Sequence, residues 1–301
     1  MTDKQSVLVS TSSFARFDKR PVDMLSEAGY EVILNPYGRS IKPDELGGLA
    51  QGIVGVVAGT EQWDRVAIDG ADKLKVISRC GVGMDNVDKG TAAERGIAVC
   101  NTPDGPTLAV AELTIGLTLD LLRRVSAMDR ELRTGVWNKV MGYLLFGKKV
   151  GIVGMGRIGR SVARLFEPFG VTIAYSDIVE ADVPYERKEY AALLGWADIV
   201  TFHISGSKQL LSEKELSVMS PGTFLLNVAR GGIVDEMALL AAIQSGHIGG
   251  AALDVFESEP YEGPFVNEEN VILTPHIGSY AREARISMEI SAVENLLKEL
   301  A

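Results

Sequence analysis

Short, nearly continuous runs of β-branched and aliphatic residues recur along the whole chain, and most are separated by stretches of helical periodicity. Runs such as Val7-Leu8-Val9 and Gly55-Val56-Val57-Ala58 are the pattern of strands covered on both faces. Strands of that kind run parallel and are linked through helices, which restricts the chain to an α/β architecture with doubly wound parallel sheets. A first series predicts strands at 6–10, 30–35, 52–59, 75–79 and 97–101, with helices such as 20–28 and 88–95 between them. Asn101-Thr102-Pro103-Asp104-Gly105-Pro106 then interrupts the pattern with two prolines and a glycine. A long helix is predicted over 107–124. A second series predicts strands at 149–153, 171–176, 199–203, 223–228, 250–255 and 271–274. A last helix over 282–300 carries Ile286, Ile290, Val293, Leu296 and Leu297 on one face, suited to packing back on the first domain.

The second series opens on Val150-Gly151-Ile152-Val153-Gly154-Met155-Gly156-Arg157-Ile158-Gly159. The glycine spacing alone is a weak signal in a chain with 32 glycines. Its setting adds the weight, since an apolar strand precedes it and a helix over 158–166 follows. Gly154 permits the tight turn, Gly156 lets a pyrophosphate approach the backbone, and Gly159 lets helix and strand pack closely. The helix N-terminus presents free N–H groups and a positive dipole end to phosphates. Asp177 ends the next strand, where a carboxylate accepts both ribose hydroxyls of NAD and repels the extra phosphate of NADP. Ile178 and Val179 beside it offer no cation for that phosphate. The expected fold is therefore a Rossmann NAD-binding domain, residues 103–275, inserted in a flavodoxin-like substrate domain made of residues 1–102 and 276–301. With 301 residues, the chain exceeds the usual span of one core.

NAD chemistry is hydride transfer, which at an alcohol carbon needs a base for the hydroxyl proton, and an anionic substrate also needs a group that holds its carboxylate. Of the three histidines, His276 and His203 both end predicted strands, where ligands bind in open α/β sheets. His247 lies in a helix-ending turn and is expected to be solvated. Arg230, flanked by Gly231 and Gly232, can grip a carboxylate with two parallel hydrogen bonds. A carboxylate beside a catalytic histidine fixes its tautomer and favours its charged form. Glu257 and Glu259 are both candidates, and spacing does not separate them.

Composition excludes other classes. Forty acidic against thirty basic residues, net charge −10, with no long basic run, argue against nucleic acid as the main partner. Cys80 and Cys100 form neither a disulfide framework nor a metal-ligand spacing, so no metal is expected and a reducing, cytoplasmic compartment is. Residues Met1 to Gln5 lack the apolar core of a signal peptide. The longest apolar stretch, 108–122, is interrupted by Glu112 and Asp120 and is too short to span a bilayer.

Asn227-Val228-Ala229-Arg230-Gly231-Gly232-Ile233-Val234-Asp235, Asp254-Val255-Phe256-Glu257-Ser258-Glu259-Pro260 and Thr274-Pro275-His276-Ile277-Gly278-Ser279, with the glycine loop, resemble the motifs of the D-isomer-specific 2-hydroxyacid dehydrogenases in the correct order. Cys80-Gly81-Val82-Gly83-Met84-Asp85-Asn86-Val87-Asp88 and Asn101-Thr102-Pro103 resemble that family's first-domain motifs, so the likeness extends over most of the chain. The resemblance implies a catalytic set of Arg230, Glu259 and His276, choosing Glu259 because the family's acid directly precedes the proline. His276 would be the general acid/base, Glu259 would orient and charge it, and Arg230 would bind the carboxylate. It implies backbone N–H groups of Gly81, Val82 and Gly83 on the substrate carboxylate. It also implies cofactor contacts at Thr102, Arg157, Ile158, Asp177, His203, Ala229, Asp254 and Gly278. Members close two domains around the substrate. Most are homodimers through the nucleotide domain, which the 108–122 helix and Trp137 suit.

Within the family, Ser78-Arg79-Cys80-Gly81-Val82-Gly83 and Asn101-Thr102-Pro103-Asp104-Gly105 look most like the D-3-phosphoglycerate dehydrogenases. Arg79 stands where it can meet a substrate phosphate. Many of those enzymes carry a C-terminal regulatory domain, and with the sequence ending at Ala301 serine feedback is not expected. Sulfolactate, glyoxylate, hydroxypyruvate and phosphonate-type acids are alternative substrates. A binding protein of another class, an NAD(H)-sensing co-repressor, uses the same fold, but no residue pattern here favours it.

Overall fold

The computed structural model describes residues 4–301. Its strands are β1 (Ser6–Val9), β2 (Glu31–Leu34), β3 (Ile53–Ala58), β4 (Val76–Arg79), β5 (Ala98–Asn101), β6 (Lys149–Val153), β7 (Thr172–Ser176), β8 (Glu186–Arg187), β9 (Ile199–Phe202), β10 (Thr223–Asn227), β11 (Ile248–Leu253) and β12 (Val271–Leu273). The helices are α1 (Arg20–Glu27), α2 (Pro43–Leu49), α3 (Arg65–Gly70), α4 (Lys89–Glu94), α5 (Thr107–Arg123), α6 (Val125–Arg133), α7 (Arg157–Phe166), α8 (Tyr190–Trp196), α9 (Glu213–Val218), α10 (Glu236–Gln244) and α11 (Arg282–Leu300). The chain folds into two compact units. One runs up to Pro106 and takes in Ser279–Ala301, and the other is Thr107–Gly278. Among the described residues no helix is long and apolar enough to cross a membrane.

The first unit holds a parallel sheet of order β2-β1-β3-β4-β5. Apolar residues alternate between two covered faces. Leu8, Val56 and Ile77 pack on one side, while Val7, Val57 and Val76 pack on the other with Met288, Ala292, Val293 and Leu296 of α11. The second unit holds a parallel sheet of order β12-β11-β10-β9-β6-β7-β8. Winding reverses between β6 and β9, so a crevice opens at the carboxyl ends of these two central strands. The parallel, doubly wound expectation is met in both units, and the chain returns to the first unit through α11.

Three local expectations were incomplete. The predicted 107–124 helix ends at Arg123, because Arg124 adopts the left-handed conformation (φ 53) and redirects the chain into α6. Neither α6 nor the two-residue edge strand β8 has a periodicity long enough to read. The buried face of α11 is rotated from the expected one. Ile286 and Ile290 are only partly buried, while Arg285 and Glu289 are buried at 7% and 2% exposure.

That rotation has a polar cause. Arg285 Nη2 lies 3.4 Å from Glu289 Oε1 and donates to Ser13 Oγ at 2.8 Å. Glu289 Oε2 accepts the N–H of Ala15 at 2.9 Å, in a loop where Ala15 itself has φ 56. The pair therefore anchors the loop after β1 to α11. Breaking a buried pair by removing one partner strands the other charge and costs about 3–5 kcal/mol. Glu289→Ala is expected to lose stability on that scale in denaturant unfolding. A loss below about 1 kcal/mol would show that Arg285 finds water instead.

Candidate active site

The glycine loop follows β6, the first strand of the second unit and a central one in its sheet. Gly154 has φ 96, and a Cβ there would lie 2.6 Å from the His203 carbonyl oxygen. A Cβ on Gly159 would overlap the Gly154 carbonyl, so this glycine is what allows α7 to start against the strand. Gly156 is the N-cap of α7, and nothing within 4 Å would meet a Cβ there. Helix-start amides, a close backbone and open space at the middle glycine form a cradle that fits a dinucleotide pyrophosphate. Arg157 is exposed and Ile158 half-buried at the same helix start.

Asp177 lies just beyond β7, and its carboxylate is turned to the loop. Oδ2 accepts the Met155 N–H at 2.6 Å and Oδ1 accepts that of Val179 at 3.2 Å. The sequence shows no cation beside Asp177, yet Arg187 reaches back from β8 and donates to the Asp177 carbonyl at 2.8 Å. Ten residues of separation hid that neighbour.

The carboxyl ends of β9, β10 and β11 and the turn after β12 carry the chemical candidates. His203 is buried, its Nε2 lies 2.9 Å from Thr201 Oγ1, and burial pushes its pKa down to about 3. It stays neutral and makes no contact with a carboxylate. His247 departs from the solvated expectation: it is half-buried, with Nε2 2.9 Å from the Leu216 carbonyl oxygen.

His276 is different in kind. Its Nδ1 lies 2.9 Å from Glu259 Oε2, and both side chains remain partly open to solvent. The residue adopts φ 53, a conformation that non-glycine residues occupy at a cost of about 1–3 kcal/mol. Asp254 holds it there. This carboxylate is fully buried and accepts from Thr274 Oγ1 at 2.6 Å, from Ile277 N–H at 2.8 Å and from Gly278 N–H at 2.8 Å. Burial raises the pKa of Asp254, partly offset by these hydrogen bonds and by His276.

Glu259 is separated from Glu257 by geometry. Burial pushes its pKa upward, but the hydrogen bond and charge of His276, the Phe256 N–H and the Arg230 charge outweigh that and hold it below the ordinary glutamate value. Glu257 contributes instead a backbone N–H, donated to Glu236 Oε1 at 2.8 Å.

Arg230 lies in a turn bracketed by Asn227. The Asn227 side chain donates to the Arg230 carbonyl at 2.9 Å and accepts the Ala229 N–H at 3.2 Å. Asn227 was not among the sequence candidates, although an Asn shortly before a Gly-Gly turn is the signal of a side chain closing a turn on its own backbone. Arg230 Nη1 donates to the Ala229 carbonyl at 2.6 Å, and the half-buried side chain is near enough to lower the pKa of Glu259. A Cβ on Gly231 would overlap the Phe256 carbonyl, so the Arg230 turn is packed backbone to backbone on the turn that carries Glu259.

In the first unit, Thr102 is buried and its Oγ1 accepts the Gly81 N–H at 2.9 Å, so the Gly81 amide is committed internally. Asn101 Nδ2 donates to the Val82 carbonyl at 2.8 Å and shapes the same turn. Arg79 ends β4, its guanidinium bonded to the Cys80 carbonyl and seated against Gly81.

Residues 115–278 match the family model for the NAD-binding domain of D-isomer-specific 2-hydroxyacid dehydrogenases. This chain belongs to that family. A glyoxylate reductase of Thermococcus litoralis is 39% identical over 260 residues, which are 79% of this chain and 77% of that protein. A D-3-phosphoglycerate dehydrogenase of Archaeoglobus fulgidus is 36% identical over 254 residues, 80% of this chain and 48% of that longer protein. The solved structure of the TT0316 protein of Thermus thermophilus superposes with a TM-score of 0.92 at 37% identity, covering 98% of this chain and 97% of that one. The protein is an NAD-dependent 2-hydroxyacid dehydrogenase, and its glycine loop lies within the matched NAD-binding domain.

In this dehydrogenase, the Asp177 carboxylate is fastened to the glycine loop through the Met155 N–H. Asp177→Ala is expected to raise the KM for NAD and to narrow the preference over NADP, measured as the ratio of kcat/KM for the two coenzymes. An unchanged ratio would show that Asp177 does not contact the ribose.

Proposed function

We propose that this dehydrogenase interconverts a small anionic D-2-hydroxy acid and its 2-oxo acid, with His276, Glu259 and Arg230 as its working groups and 3-phosphoglycerate as the best-fitting substrate. The observation that carries the catalytic reading is the 2.9 Å pair between His276 Nδ1 and Glu259 Oε2. With Nδ1 held by a carboxylate, Nε2 is the ring nitrogen left for substrate. When bound, the nicotinamide ring accepts or supplies the hydride. In the oxidising direction His276 Nε2 takes the proton of the 2-hydroxyl as hydride leaves C2, and the reverse step returns that proton to the 2-oxygen. Glu259 stays ionised at neutral pH and stabilises the imidazolium that forms. Arg230 grips the substrate carboxylate and polarises the 2-oxygen.

The cofactor contacts are proposed at Gly154, Gly156, Arg157, Ile158 and Gly159 for the pyrophosphate and at Asp177 for the ribose. Thr102, His203, Ala229, Asp254 and Gly278 are proposed for the rest. His203 would contribute as a neutral wall. With Gly81 already donating to Thr102, the amides proposed for the substrate carboxylate reduce to those of Val82 and Gly83. Arg79 supplies a permanent positive charge for a substrate phosphate. The likeness to a glyoxylate reductase favours glyoxylate or hydroxypyruvate as a second reading.

A homodimer through the nucleotide domain is supported by the apolar segment after α6, where Trp137, Met141, Leu144 and Phe146 are 79%, 92%, 71% and 75% exposed. Patches of this kind mark interaction surfaces. A cytoplasmic location is supported by the two free cysteines.

His276→Ala is expected to lower kcat by at least ~10²-fold with NADH affinity little changed; turnover near wild type would remove His276 from the role of acid/base. Steady-state kinetics on glyoxylate, hydroxypyruvate and 3-phosphohydroxypyruvate would choose the substrate. If Arg79 reads a phosphate, Arg79→Ala raises KM for the phosphorylated acid much more than for hydroxypyruvate. Equal effects on both would return Arg79 to a structural role.

A further inference from the structure

Glu236 has no part in the proposed chemistry, yet it is the first residue of α10 and half-buried. An acid in the first turn of a helix ordinarily serves the helix. Here that service is already supplied: Asp235 is the N-cap, and its Oδ1 accepts the Ala238 N–H at 2.9 Å. Glu236 turns its side chain outward from α10 and accepts the Glu257 N–H at Oε1, 2.8 Å away. Burial disfavours its charge and raises its pKa, the Glu257 N–H offsets part of that, and the Glu257 charge adds a smaller push upward.

The contact joins two catalytic turns. Glu236 begins α10 six residues after Arg230, in the same connection from β10. Glu257 lies two residues before Glu259, in the turn after β11. The Gly231 backbone against the Phe256 carbonyl is one tie between these turns, and the Glu236–Glu257 bond is the second. A cavity of about 10 Å³ lies beneath them, lined among others by Asn227, Gly231, Gly232 and Glu236. Side chains therefore do not fill this space completely, and the Glu236–Glu257 hydrogen bond adds a directional tie beside it. Within the turn, the Phe256 N–H donates to Glu259 Oε1 at 3.2 Å, so movement of residues 256–257 moves the carboxylate that meets His276.

We propose that Glu236 is a positioning residue for the Glu259–His276 pair, acting through the Glu257 amide to hold the Glu259 carboxylate on Nδ1 of His276. This inference rests on the proposed catalytic roles of Glu259 and His276. Removing the acceptor frees the 256–259 turn while leaving Arg230, the glycine loop and α10's own cap in place. Turnover suffers and ground-state binding does not. A neutral acceptor at the same position suffices, because the contact is to an N–H and not to a cation.

The test is steady-state reduction of a 2-oxo acid by NADH with Glu236→Ala, Glu236→Gln, Glu259→Gln and the double variant Glu236→Ala/Glu259→Gln, below the thermal midpoint of each. Glu236→Ala is expected to lower kcat about tenfold or more with KM for the acid and NADH affinity within about threefold of wild type. Glu236→Gln restores at least a third of wild-type turnover. In the Glu259→Gln background Glu236→Ala adds little, because both act through one carboxylate. The inference is overturned if Glu236→Ala keeps wild-type turnover, if alanine and glutamine lose equally, or if the alanine defect persists undiminished beside Glu259→Gln. An undamaged Glu259→Gln enzyme overturns the catalytic reading of Glu259 as well. A normal Glu259→Gln defect with an unaffected Glu236→Ala overturns the positioning role alone.

Discussion

The Asp254 carboxylate, fully buried at the end of β11, accepts three hydrogen bonds from the turn after β12. Those bonds close the backbone around His276 in a left-handed conformation that a non-glycine residue adopts only at a cost. Neighbouring strands of one parallel sheet supply the two sides of the bracket, β11 the acceptor and β12 the turn. Because parallel register is set by a ladder of main-chain bonds and buried apolar faces, the bracket inherits the rigidity of the core. The Glu259 contact then needs only the turn after β11 to be in place.

Two carboxylates five residues apart are pushed in opposite directions by their surroundings. Asp254 sits where burial dominates and its pKa rises, whereas Glu259 gains enough from His276 and Arg230 to overcome its burial and fall. One builds the turn and the other faces the His276 ring. This division, reached by environment and not by residue type, is a common way for a site to assign separate duties to similar groups. The same logic sorts the histidines. Burial keeps His203 neutral, and among the described residues only His276 has a carboxylate on its ring.

Most of the strand positions and the glycine loop were legible in the amino-acid sequence, because near-continuous apolar runs and a loop with distinct steric demands leave few alternatives. Residues in the loops were less so. Arg187 next to Asp177, Asn227 under Arg230 and Glu236 under Glu257 are all contacts made across turns, where side-chain direction and not spacing decides the partner. The choice between Glu257 and Glu259 was open from spacing, and the fold separates them by giving one its side chain to His276 and the other its amide to Glu236. In α11, apolar periodicity found Val293 and Leu296 but missed the N-terminal half of the buried face, since Arg285 and Glu289 reach bonding partners on the loop after β1 that no helical pattern encodes.

The tie between Asp177 and the Met155 amide bears on redesign of coenzyme choice. The carboxylate proposed to meet the ribose also accepts the Met155 N–H and so fastens the glycine loop. A substitution that removes the acid to admit a phosphate also unfastens the loop, and the entropy of re-ordering it would be charged against every dinucleotide, whichever phosphate it carries. Asparagine or serine at this position retains an acceptor for the amide while deleting the charge. Such replacements separate the electrostatic part of coenzyme discrimination from the conformational part.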